Sequence, residues 1–224
     1  MGKINITIIT LLLICSNCYS QHFLQPLEVV EKGWQRLYIK NVGGFDFPLT
    51  LEIQEGNYKE LVDNLRGEIG LDIYDAPLTL QQIGLNEGSE KSFEKYARVS
   101  FDTEYGIKGD FLSLNFNISD ISQSEILEIN DFYKTESQQY FQNDLLKLIE
   151  WYPIKLEKIN GMSCIHLSYK RQLKNHPIVL VNSYYFFNFD RLHTLTLAYR
   201  LNESQYWKED FYKILKSLRI FIQE

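Results

Sequence analysis

Cysteine is scarce in this chain, and its distribution excludes whole classes of protein. The 224 residues contain 3 cysteines, of which Cys15 and Cys18 lie near the N-terminus and only Cys164 lies in the body of the chain. If a cleaved signal peptide removes Cys15 and Cys18, Cys164 is left without a partner for an intrachain disulfide, so we expect no disulfide-stabilised scaffold in the mature chain. The fold must instead be stabilised by apolar burial, for which 14 Phe, 15 Tyr and 3 Trp provide large side chains.

Positive charge is also in short supply. The chain has 23 Lys+Arg against 29 Asp+Glu, which leaves a formal net charge of -6 at pH 7. Its lysines are scattered rather than gathered into a patch. Proteins that bind nucleic acids or anionic membrane surfaces do so through concentrated basic residues. The sequence therefore argues against nucleic acid and against an anionic membrane surface as partners.

Motifs for metals and cofactors are missing as well. The 4 histidines are scattered along the chain, and no pair of them has the spacing of a helical metal site. Gly43 and Gly44 precede a strand pattern rather than a helix, so they do not predict a phosphate-binding loop. The acidic stretch from Asp63 to Asp75 lacks the spacing of a calcium-binding loop. We therefore expect no cofactor and no metal ion.

Long apolar runs are absent apart from one that follows Lys3. Ile4 to Ile14 is apolar except for one asparagine and two threonines, and this run is too short to span a bilayer. The positions up to Ser20 then include the small residues of a cleavage site. We predict a signal peptide over residues 1–20 that is cleaved near Ser20 and Gln21.

The predicted signal peptide places the mature protein in the periplasm or outside the cell, and two alternatives stay open. A lipid anchor on Cys15 or Cys18 would hold the protein at a membrane. The residues before these cysteines, Ile14 and Asn17, are larger than the small residue that a lipoprotein signal requires, which argues against this anchor. An uncleaved N-terminal anchor is the second alternative.

The clearest structural pattern lies between Ile159 and Phe221. Met162 to Arg171 alternates between apolar and polar residues, which predicts a strand with one buried face. Ile178 to Phe187 is rich in β-branched and aromatic residues, and residues 191–200 alternate again. Short polar connections join the three segments, so we predict three neighbouring antiparallel strands.

An amphipathic helix is predicted directly after these strands. The apolar residues that recur at helical spacing are Trp207, Phe211, Ile214, Leu215 and Leu218. Such a stripe must be buried, and the preceding sheet is the nearest apolar surface. Asn202 or Ser204 is expected to cap the start of this helix.

Weaker patterns predict further elements elsewhere in the chain. They are strands over 34–42, 46–54, 92–105, 111–116 and 149–158, a helix that begins at Ser122 or Ser124, and a loop over 72–88. The expected buried face of that helix comprises Ile126, Ile129, Phe132, Tyr133, Tyr140 and Phe141. Pro153 predicts a bulge or an edge position for its strand. Asn160 and Gly161 predict a two-residue hairpin turn.

The order of these segments resembles the C-terminal half of PsbP-like domains. The residues that carry the resemblance are I-N-G-M at 159–162, S-Y-K-R-Q at 168–172, Y-Y-F-F-N-F-D-R-L-H at 184–193, T-L-T-L-A-Y-R at 194–200 and F-Y-K-I-L-K-S-L at 211–218. The likeness extends loosely over 45–222 and more closely over 148–219. It is to Mog1p/PsbP/DcrB-like domains, which include small secreted proteins of Bacteroidetes type.

The resemblance implies an α+β fold with a central antiparallel β-sheet flanked by helices, the α-β-α sandwich of Mog1p/PsbP-like proteins. It implies no common activity, since members of this group mostly bind or assist other proteins. We expect residues 21–44 to form an N-terminal leader with a candidate edge strand. Residues 45–224 are expected to form a single PsbP-like domain.

An aromatic cluster next to a charged turn is the candidate partner-binding region. The residues that it offers for contact are Tyr184, Phe186, Asp190, Arg191 and His193. If helices cover both faces of the sheet, the aromatic residues belong to the core. If one face is open, they form an exposed patch of the kind that binds a partner.

Two hypotheses for function follow. The first is an exported, non-enzymatic domain that binds another envelope protein or assists assembly in the cell envelope. The second is an exported hydrolase that uses carboxylates, or an Asp190–His193 pair in which the acid orients the imidazole. Cys164 and His166 share a strand face but have no evident third group, so we predict no catalytic site there.

Overall fold

The computed structural model describes residues 29–56, 59–60, 78–88, 90–141 and 145–223. A compact unit extends from Gly33 to Glu224. The predicted signal peptide over residues 1–20 and the acidic stretch from Asp63 to Asp75 lie outside the described residues.

The described residues form two antiparallel sheets and two long helices. The strands are β1 (Trp34–Ile39), β2 (Gly43–Pro48), β3 (Leu51–Ile53), β4 (Leu78–Gln82), β5 (Ala97–Tyr105), β6 (Leu146–Ile159), β7 (Met162–Leu173), β8 (Val179–Phe187), β9 (Arg191–Arg200) and β10 (Arg219–Ile220). The helices are α1 (Gln123–Tyr140) and α2 (Ser204–Ser217). The small sheet has the order β1-β2-β10, and the large sheet has the order β3-β4-β5-β9-β8-β7-β6.

The two helices cover opposite faces of the large sheet. On β8, Tyr184 and Phe186 join the main core, which also contains the buried stripe of α2. Tyr185 and Phe187 point the other way and belong to a second apolar cluster that includes Ile129 of α1. The predicted fold class, a central antiparallel sheet flanked by helices, is therefore confirmed.

The final helix packs as its spacing predicts. Trp207, Phe211 and Ile214 are buried, and the ring of Phe211 contacts Tyr199 of β9 with 5.5 Å between centroids. The expected cap is wrong, because the N-cap residue is Glu203 and not Asn202 or Ser204. A short 3-10 turn over Leu201–Glu203 precedes the helix, so the backbone is already helical before α2 begins.

The hairpin between β6 and β7 turns at Asn160 and Gly161, as predicted. Both residues have positive φ, 53° and 84°, which is the backbone geometry that favours Asn-Gly in such turns. The Asn160 side-chain amide donates to the carbonyl of Leu218 at 2.8 Å and to that of Leu215 at 3.3 Å. The turn thus also satisfies carbonyl groups at the C-terminal end of α2.

Pro153 lies at a break in the pairing of β6, which is an edge strand of the large sheet. The register with β7 shifts between Tyr152 and Lys155, as expected for a proline that cannot donate to the ladder. The shift leaves the Ile154 N–H free to donate to Oδ1 of Asn130, at 3.2 Å. A residue of α1 therefore occupies the irregularity that the proline creates.

Four predicted segments differ from the structure. The strand predicted over 92–105 begins only at Ala97, because Glu90–Glu94 forms a 3-10 turn. Residues 111–116 form turns and irregular backbone rather than a strand, because Ser and Asn alternate with the apolar residues there and compete for backbone hydrogen bonds. The loop predicted over 72–88 contains β4, whose pairing with β5 outweighs its short length. The strand predicted over 46–54 is divided at Leu49 and Thr50, where the chain passes from the small sheet to the large one.

Candidate functional site

An open groove lies between α1 and the adjacent face of the large sheet. Its volume is about 380 Å³, and the lining residues that the structure describes are Leu112, Phe116, Ile121, Glu128, Ile129, Phe132, Tyr133, Ile165 and Phe187. Eight of these nine side chains are aliphatic or aromatic. The groove is therefore an apolar surface with one carboxylate at its margin.

Helix α1 forms one wall of the groove, and local contacts position it. Ser122, one of the two predicted starts, caps the helix and forms a reciprocal capping box with Glu125. Oδ1 of Asn130 accepts hydrogen bonds from the Trp151 indole at 3.0 Å and from the Ile154 N–H. The capping box defines where α1 begins, and the Asn130 contacts hold the middle of α1 against β6.

The segment between β5 and α1 forms the opposite wall. Ser163 of β7 holds this segment, since its N–H donates to the carbonyl of Leu114 at 2.8 Å and its hydroxyl donates to that of Phe116 at 2.6 Å. The Phe189 N–H donates to the carbonyl of Leu112 at 3.1 Å. This segment, which the structure describes in full, contains a 3-10 turn at Ile118–Asp120 but no strand. Hydrogen bonds to β7 and to the turn between β8 and β9 therefore hold it in place.

The floor of the groove is aromatic. Phe187 of β8 contacts Phe111 and Phe116, with ring centroids 6.3 and 6.4 Å apart. At the rim, Phe132 is 60% exposed and Leu112 is 53% exposed. Large apolar side chains that stay exposed around a concave surface are typical of a binding site.

The pattern of α1 did not predict that Phe132 lies at this rim. Ile126, Ile129 and Tyr133 pack on the sheet as expected, whereas Phe132 lies on the flank of that stripe and points over the groove. The expectation that Phe132 and Tyr140 are buried is therefore wrong, since both side chains are exposed. A usable sequence signal was the weak regularity of this helix, in which apolar residues extend beyond a single stripe.

Two carboxylates act on the groove, Glu128 in its lining and Glu104 beside Tyr133. Burial raises the pKa of the Tyr133 phenol, and the negative charge of Glu104 raises it further. Glu128 lines the groove and is exposed. Both effects on Tyr133 favour its neutral form, so the phenol is a hydrogen-bonding group and not an anion.

The predicted partner-binding residues are placed partly in the core. Tyr184, Phe186 and His193 are 7%, 0% and 0% exposed, because helices cover both faces of the sheet. Their side chains therefore cannot form the exposed patch that was one alternative. Asp190 and Arg191 are half-buried and pair through two hydrogen bonds, of 2.8 and 3.0 Å. Their role in partner binding stays a prediction.

The Asp190–His193 pair of the hydrolase hypothesis does not form. His193 instead contacts the Thr103 hydroxyl through Nδ1 at 2.9 Å and the Asn188 amide through Nε2 at 3.1 Å. Burial lowers the pKa of His193 to about 4, and the positive charge of Arg191 also lowers it. The imidazole is therefore a neutral core group, and the Asp190 carboxylate accepts hydrogen bonds from Arg191 instead.

Cys164 and His166 lie on one face of β7, as predicted, but the thiol is not activated. Burial raises the pKa of Cys164 to about 12, and the charge of Glu157 raises it further. His166 contacts Glu157 Oε1 at 3.2 Å and Asn182 Oδ1 at 3.0 Å. A thiol with so high a pKa stays protonated at neutral pH and is a poor nucleophile.

Within the described ranges, no three His, Cys, Asp or Glu side chains are grouped closely enough to hold a metal ion. The helices in this part of the chain also include none that is long and apolar enough to cross a membrane.

Comparison with known proteins identifies the fold. No model of a known protein family matches the chain, and no curated protein sequence matches it. The solution structure of the cyanobacterial PsbP protein CyanoP, from Synechocystis sp. PCC 6803, is similar over 88% of this chain and 97% of that chain, with 10% identity and a TM-score of 0.51. LpqN of Mycobacterium tuberculosis, which is involved in cell envelope biogenesis, aligns over 84% of this chain and 90% of its own at 10% identity and a TM-score of 0.43. With its seven-stranded antiparallel sheet and a helix on each face, this chain has a PsbP-like α+β fold.

Proposed function

We propose that this chain is an exported, non-enzymatic domain that binds a protein partner or assists assembly in the cell envelope, and that the groove beside α1 is its binding surface. The observation that carries the proposal is the composition of the groove. Eight of its nine described lining residues are apolar or aromatic, and its rim residues Phe132 and Leu112 remain exposed. Covering such a surface with a partner removes apolar area from water, which is favourable.

The chemistry of the described residues favours binding over hydrolysis. A hydrolase needs titratable groups that converge on one pocket. His193 and Cys164 are instead buried in the main core, and the groove presents Glu128 as its charged lining residue. The hydrolase hypothesis therefore has less support than partner binding.

Export is supported by the N-terminal sequence pattern. Lys3, the apolar run that follows it and the cleavage site near Ser20 and Gln21 have the layout of a signal peptide. The intact mass of the protein recovered from its host tests this part of the proposal. We expect a chain that begins near Gln21, and a mass that includes Met1, or a lipid on Cys15 or Cys18, would contradict it.

Capture of partners from an envelope extract tests the binding surface. We expect the wild-type protein to retain a partner that Phe132→Ser loses, because this change removes the most exposed aromatic ring of the groove. Phe93→Ser is the matched control, since Phe93 is 52% exposed and does not line the groove. Equal capture by the wild type and both variants would show that the groove is not the binding surface.

A further inference from the structure

We infer that the partner of the groove is an amphipathic, basic helix, whose apolar side chains fill the groove and whose lysines or arginines contact the carboxylates of Glu104 and Glu128. This inference rests on the proposed function and specifies the chemistry of the partner. Its evidence is the charge around the groove, the position of the groove within the sheet, and its size.

The segment of the chain that supplies both walls of the groove is negatively charged. Residues 104–140, which include α1 and most of the opposite wall, contain seven acidic residues and two lysines, a net charge of -5. The whole chain has a net charge of -6, so this short segment accounts for most of it. Glu128 lines the groove, and Glu104 is close enough to act on the Tyr133 phenol. Such a field attracts a basic segment and repels an acidic one.

The position of the groove favours a helix over an added strand. Ile165 and Phe187 in its floor belong to β7 and β8, which are interior strands of the large sheet. Both edges of each strand are already paired, so a partner cannot add a strand there by backbone hydrogen bonds. A helix needs no backbone partner, and it presents side chains at i, i+3, i+4 and i+7 on one face.

The size of the groove fits side chains rather than a folded domain. A volume of about 380 Å³ is near the lower end of ligand pockets, which hold roughly 300–1,000 Å³. A stripe of a few apolar residues fills such a space. The basic residues that flank the stripe would then lie over Glu104 and Glu128.

Two labelled synthetic helices test the inference by fluorescence anisotropy with the purified protein. Both carry the same stripe of Leu and Phe, and one has lysines on its flanks where the other has glutamates. We expect the basic helix to bind and the acidic helix to bind much more weakly. We expect Phe132→Ser to abolish binding, because the rim aromatic ring is then lost.

A double variant isolates the contribution of the two carboxylates to binding. Glu104→Gln with Glu128→Gln should weaken binding of the basic helix by roughly three- to tenfold at low salt, and the difference should shrink at about 1 M salt. Glu94→Gln with Glu209→Gln is the control, since it removes two exposed carboxylates that do not line the groove. A control that weakens binding equally would mean non-specific attraction, and it would overturn the inference.

The remaining outcomes separate the inference from the proposed function. If both helices bind equally and only Phe132→Ser weakens them, the groove binds partners without a preference for charge, and the inference is wrong while the proposed function stands. If neither helix binds, the inference is wrong, and capture from the envelope extract decides the proposed function alone. A fluorescent fatty acid that displaces the basic helix and binds more tightly would assign the groove to a lipid chain and would also overturn the inference. Circular dichroism of each variant confirms that the fold is retained.

Discussion

His193 is held neutral by a polar network in the core. The Asn188 amide is oriented by two backbone groups, since its Nδ2 donates to the carbonyl of Phe221 at 2.9 Å and its Oδ1 accepts from the Gln223 N–H at 2.9 Å. Nδ2 therefore also donates to His193 Nε2, and the proton of the imidazole lies on Nδ1, which donates to the Thr103 hydroxyl. Protonation of His193 Nε2 would place its N–H against the N–H of Asn188 Nδ2, so that two donors would face each other.

This network makes the stability of the protein depend on pH through His193. The unfolded imidazole binds a proton near its ordinary pKa of 6.5, whereas the folded one resists protonation down to about 4. Protons therefore favour the unfolded state, so this contribution is complete above pH 6.5 and is lost as the pH falls toward 4, on the order of 3 kcal/mol. Urea denaturation at pH 7.5 and 4.5 measures it, with His193→Gln as the comparison. Equal losses of unfolding free energy in the two proteins would contradict the assignment.

Cys164 is expected to be unreactive in the folded protein. Its thiol is fully buried and has a pKa raised to about 12 by burial, so alkylation by iodoacetamide at pH 8 should require unfolding. The rate of modification with and without urea checks this. Rapid alkylation of the native thiol would show that the site is open. Cys164→Ser should lower the free energy of unfolding by about 1–2 kcal/mol, as for a small polar change in a core.

At the scale of elements, α2 is the clearest test of packing. Trp207→Ala should lower the free energy of unfolding by about 3–5 kcal/mol, because removal of the buried indole leaves a cavity. Glu203 also loses the hydrogen bond that the indole N–H of Trp207 donates to it. Lys208→Ala, on the exposed side of the same helix, should change it by less than about 0.5 kcal/mol. Chemical denaturation of both variants checks the pair. A wild-type midpoint for Trp207→Ala would show that the stripe of α2 is not packed.

Asn130 is the corresponding test for α1. Asn130→Ala leaves the Trp151 indole and the Ile154 N–H without the oxygen that accepts from both, which should cost about 1–3 kcal/mol. Because this contact holds α1 beside the groove, binding of the basic helix should weaken as well. Gln138→Ala, on an exposed part of α1, is the control. An Asn130 variant with unchanged stability would show that water replaces the amide without loss.

At the scale of the whole molecule, the sequence alone determined the strands and helix between Ile159 and Phe221. Their signals are local. Alternation specifies which face of a strand is buried, helical spacing specifies the apolar stripe of α2, and Asn160-Gly161 specifies the turn between β6 and β7. The positions of the cysteines likewise argued against a disulfide scaffold, because two of the three lie in the predicted signal peptide. These predictions depend only on neighbours along the chain, so a single sequence was sufficient for them.

Only the tertiary structure decided where the candidate site lies. The groove joins Leu112, Phe132 and Phe187, which come from a loop, a helix and an interior strand, and no local pattern places these residues together. The burial of His193 and Tyr184 was also undecided, because alternation assigns residues to a face but does not say whether a helix covers that face. Pairing between strands distant in the sequence, and the helices that cover them, determined which aromatic residues became core and which remained exposed at the groove.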